Sequence, residues 1–219
     1  RKPFQSTMNS LVPAFQQGTC TASFSAAVRS VRSELVALKC ERLANTTIPH
    51  YELVEMISTP STTRPLDSFA DALVGHVEHI QIVHDKYIEE LHEQVVAIRR
   101  GVDGKQSHTN TLKSLQQTFN AVKGLRMFCQ VNYLITCNIC KLLESVSAFD
   151  ADAFLSEYLN TKRFALDCED GLYGSQGLAS DISEDLVQLF DRAYNTTKPC
   201  KGSSVGNLFR RVTAKLSRS

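Results

Sequence analysis

The sequence predicts an all-α protein built on a hairpin of two long antiparallel helices. Three observations carry this. From Leu66 to Arg100, apolar residues step by three and four: Phe69, Leu73, Val77, Ile80, Val83 or His84, Tyr87, Leu91, Val95 and Ile98. From Thr109 to Phe149 the same steps run through Leu112, Leu115, Phe119, Val122, Leu125, Phe128, Asn132, Ile135 and Ile139, with no proline and one glycine, Gly124. Such stripes mark helices with one buried face. Between them lies only a short break, with a turn expected at Gly101-Val-Asp-Gly104, which forces the two helices antiparallel. At about 1.5 Å per residue the second helix spans roughly 60 Å, so the rest of the chain must supply partners for it.

The remaining elements follow in order. Pro3 and Pro13 limit residues 1–17 to short helical pieces. Ser23 to Ala44 is expected as one helix, capped by Ser23, with Phe24, Val28, Val31, Leu35, Leu38 and Leu43 on one side. Residues 45–65 hold Pro49, Pro60 and Pro65 and form a connector, in which YELVEMIS can make a short helix. Asp67 and Asp71 near the start of the first long helix, and Arg99-Arg100 at its end, suit the helix dipole. Asp150 is placed to cap a short helix, ADAFLSEYLN. Residues 161–179 include CEDGLYGSQGLAS, a glycine-rich loop, after which Ser180 caps DISEDLVQLFDRAYN. The tail from Thr196 to Ser219 is polar and basic, with Arg210, Arg211, Lys215 and Arg218.

The totals exclude some functions and leave others open. Charged residues at 21% and hydrophobic residues at 42% are ordinary for a folded domain. A net charge of +1 argues against nucleic acid as a partner, so an anion site must be a local cluster. Seven cysteines, an odd and scattered set, fit reduced buried thiols and a cytoplasmic location. Two sequons, at Asn45 and Asn195, and an opening on Arg1 rather than methionine keep open a removed leader and a secreted helical protein.

The chemical motifs resolve to packing. Cys137-x-x-Cys140 has zinc or redox spacing but lies inside a helical stripe without a second pair, so core packing is expected. His76, His79, His84 and His92 share a helix without an HExxH pattern and are expected as solvated or core-edge residues. The run from Gly171 to Gly177 lacks the ending of a phosphate loop. No nucleophile elbow or kinase signature is present, so neither an enzyme nor a cofactor is expected.

Leu125 to Tyr133, LRMFCQVNY, and Asn138 to Ser145, NICKLLES, resemble the corresponding helix of the SPX domain, the inositol-polyphosphate-sensing module of phosphate homeostasis. Arg1-Lys2-Pro3-Phe4 with Leu11-Val-Pro-Ala-Phe15 is similar to that family's opening, and Ser156 to Phe164, SEYLNTKRF, to a later segment. The resemblance implies a small N-terminal helical hairpin packed on two long antiparallel helices, with short C-terminal helices. It implies an SPX-like domain over residues 1–195 and, over 196–219, a basic tail or linker to a downstream domain. It also implies clustered lysines facing a phosphorylated ring. Asn138, Lys141, Leu142 and Ser145 stand where lysines are expected, and Ala22 and Ala26 where a tyrosine and a lysine are. Lys2 and Lys141 carry over by position; Lys39 and Arg42 are added by helix proximity. The expectation is a non-catalytic regulatory module with a degraded ligand site. Its partners would be an inositol polyphosphate or other phosphorylated anion, or a protein or neighbouring domain. Membrane contact could come through the tail, where Leu208, Val212 and Leu216 form one face. A bundle of the BAR or syntaxin type is the alternative.

Overall fold

The computed structural model describes residues 21–58, 66–104, 107–168 and 177–196. Among these the regular elements are all helical, with no strand. Three helices, α1 (Thr21–Ala37), α2 (Glu41–Asn45) and α3 (His50–Ser58), form an N-terminal corner. The long helices are α4 (Leu66–Asp103) and α5 (His108–Val146). A short α6 (Ala151–Ala153) continues as a π turn, Phe154–Tyr158, and a 3-10 turn, Leu159–Thr161; α7 (Arg163–Leu166) and α8 (Leu178–Thr196) follow. Residues 1–20, Lys2 included, and the basic tail from residue 197 lie outside the described residues.

The long hairpin forms as the stripes predict. The Thr118 hydroxyl donates to Gln94 Oε1 at 3.1 Å and fixes the register of α5 on α4. The turn falls later than expected: Gly101 and Val102 are helical, and Gly104 N–H bonds Arg100 C=O at 2.9 Å. One glycine in a helix costs about 1 kcal/mol, and Val102 packs on the core to offset it.

Helix α5 is the axis of the molecule. Every other α-helix among the described residues touches it, and from Thr118 to Cys140 none of its residues is exposed. A helix surrounded in this way needs no polar face. Small and neutral residues such as Gly124, Cys129, Asn132, Thr136 and Cys140 fit its crowded sides.

The expected single helix from Ser23 to Ala44 is two helices. Helix α1 stops because Lys39 takes a left-handed conformation, φ 63°. Cys40 N–H then bonds Leu35 C=O and Lys39 N–H bonds Val36 C=O, both at 2.9 Å. These paired bonds are a Schellman stop, in which glycine is the usual residue at the left-handed position. The chain turns here because Cys40 is pressed against α5: a Cβ on Gly124 would lie 2.5 Å from Cys40 Sγ.

At the C-terminal side one element is added and one expectation changes. Residues 163–166, ahead of the glycine-rich loop and given no element from the sequence, form α7, with Phe164 fully buried. Ser180 does not cap the last helix, which starts earlier, at Leu178. Asp167 supplies the cap from a distance, its Oδ1 accepting Ala179 N–H at 2.8 Å. Asp150 caps α6 as expected, accepting Ala153 N–H at 2.8 Å.

Candidate functional site

Two ends of the bundle bear on function. At one end the first turns of α1 meet the last turns of α5 through His50 at the start of α3. The His50 ring lies 4.7 Å from the Phe24 ring, and its Nε2 lies 2.9 Å from Asn138 Oδ1. The positions matched to the family's lysine helix therefore do sit beside the start of α1. Of the positions there where cations are expected, Lys141 is charged: Ala26 is exposed, Asn138 holds His50, and Ser145 donates to its own helix at Leu142 C=O.

Ser25, His50 and Asn138 have the composition of a nucleophile, base and orienter. His50 Nδ1 lies 3.0 Å from Ser25 Oγ. With Nε2–H donating to Asn138 Oδ1, Nδ1 accepts the serine hydroxyl. Burial lowers the His50 pKa, and the Asn138 bond partly opposes it, so the neutral ring these bonds require is favoured. Exposures of 7% for Ser25 and 2% for His50 seat the hydroxyl against protein rather than solvent. The trio ties α1, α3 and α5 together.

Lys39 and Arg42 lie at the other end. Cys40 marks their level on α5 at Gly124, and Lys141 is about 25 Å further along that helix at the standard rise. Arg42 is engaged: its guanidinium makes two bonds to Glu90, at 2.7 and 2.9 Å, and lies 5.2 Å from the centre of the Tyr87 ring. The Tyr87 hydroxyl and Cys40 Sγ are 3.4 Å apart, and burial pushes both groups above their ordinary pKa. Lys39, Arg42 and Lys141 thus do not form one cluster.

Beside this corner is a groove of about 590 Å³, bounded by the end of α1, Lys39, Cys40 and the turn half of the α4–α5 hairpin. Ser114, Gln117, Thr118 and Asn120 line it from α5, and Gln94 and Ala97 from α4. Lys39 is the charged residue among those lining it.

The histidine expectation needs one correction. His84 is neither solvated nor at the core edge but fully buried, at 0% exposure. Its Nε2 lies 2.7 Å from Asp167 Oδ2 and its Nδ1 3.1 Å from Asp85 Oδ1. Asp85 also receives Gln81 Nε2 and Arg163 Nη2, both at 2.7 Å. Asp167 is the part of this network that the sequence did not signal. Its partners lie 83 and 12 residues away, and no local pattern announces them.

The thiols have the character of packing groups. The described cysteines are buried and form no disulfide with one another. Burial pushes Cys137 up to about 11 and Cys140 up to about 12, so neither is a thiolate at neutral pH. Among the described residues no group of His, Cys, Asp or Glu is placed to hold a metal, and no helix is long and apolar enough to cross a membrane.

Compared with protein-family models, with curated proteins and with solved structures, the chain shows no match.

Proposed function

We propose that this chain is a non-catalytic regulatory helical module, SPX-like in plan, that works through contact with a partner protein or a neighbouring domain. The observation that supports this is the end where α1 and α5 converge. There Asn138 is committed to His50 and Ala26 stands exposed at positions where a phosphate-dense ligand would need cations. Bonds to charged groups contribute about 1.5–3 kcal/mol each, so losing several removes most of the affinity for a polyphosphate. Lys141 is the described residue at those positions that keeps a cation.

Calorimetry with inositol hexakisphosphate at near-physiological salt tests this. The expected result is little heat from the native chain and no change in Lys141→Ala. Tight binding that Lys141→Ala weakens would instead make the chain an inositol polyphosphate sensor. A stable dimer by light scattering that also binds anionic vesicles would favour the BAR or syntaxin alternative.

A further inference from the structure

We draw no further inference here: the strongest candidate, the outward face of α4, where Ile82 and Val96 stand exposed among Lys86, Glu89 and Glu93, is an unpartnered helix face, and nothing in the structure shows what covers it.

Discussion

Helix α5 is gripped from two sides, and the two grips differ in kind. On the N-terminal side the fully buried fastenings are neutral, with a partly buried ion pair, Lys123 to Glu34 at 3.2 Å, beside them. Ile48 N–H donates to Asn132 Oδ1 at 2.9 Å, the His50 ring bridges Ser25 and Asn138, and Cys40 packs on Gly124. Arg32 Nη2 adds bonds to the Thr47 and Ile48 carbonyls, at 2.9 and 3.2 Å. On the C-terminal side the fastening is a buried histidine–carboxylate pair, made from α4 rather than from α5. His84 joins Asp167 in the interior, and Asp167 in turn holds the first turn of α8. Neutral bonds contribute little net stability each but distribute the load. A buried histidine–carboxylate pair concentrates it, because each partner depends on the other to offset its desolvation. The N-terminal corner should therefore weaken gradually under substitution, and the docking of α8 should fail abruptly.

The largest effect is expected from Asp167→Ala. It leaves His84 buried without its partner and Ala179 N–H without its acceptor. Removing one member of a buried pair costs about 3–5 kcal/mol. Urea unfolding would measure the loss, and amide exchange should place it first in α8. Asp167→Asn keeps the shape and an acceptor for Ala179 N–H, and should cost less. Gly177→Ala should resemble Asp167→Ala, since a Cβ there overlaps Asp167 Oδ1. Equal, small losses for all three would show that the His84–Asp167 pair is not what holds α8.

An intermediate effect is expected on the neutral side. Asn132→Leu keeps the number and branching of side-chain atoms but orphans Ile48 N–H in the interior, at a cost of about 1–3 kcal/mol besides the crowding of a larger side chain. Because Arg32, His50 and Cys40 still hold the corner, unfolding should stay cooperative. Exchange should rise around residues 46–50 without release of α3. If Asn132→Leu instead released the whole corner, the N-terminal grip would be as concentrated as the C-terminal one.

The difference between the two grips also explains what was legible in the sequence. Local periodicity reports which face of a helix is buried, and it placed α4, α5, α3 and α8 to within a few residues. It could not report the break at Lys39, because that break is set by Cys40 meeting Gly124, 84 residues away in the chain. Two signals were present without being decisive. Asn132 sits in the apolar stripe of α5, and His84 shares a step of the α4 stripe with Val83. A polar residue at a core position needs a partner, and both have one: Asn132 binds Ile48, and His84 binds Asp167. Of the residues singled out beforehand as ligand groups, Arg42 is paired with Glu90, and Lys39 stands by the groove. Lysine in a left-handed turn leaves no mark in a sequence.

The smallest effect is the sharpest test of the contrast, because it perturbs one grip without removing an atom. Burial holds the His50 pKa below the ordinary imidazole value near 6.5. Below that pH the unfolded chain binds more protons than the folded one, so stability falls as pH falls through this window and is fully present above it. Burial lowers the His76 pKa too, with the same sign. Protonated His50 would also turn Nδ1 into a donor facing Ser25 and break the neutral tie. Urea midpoints taken from about pH 7.5 down to about pH 5.5 should therefore decline in the native chain. In His50→Gln, which keeps a hydrogen-bonding group but does not titrate, the decline should be shallower. Amides in α3 should speed up before those in α8. If α8 loosens in step with α3, or if the two pH profiles run parallel, the N-terminal grip does not depend on a neutral histidine.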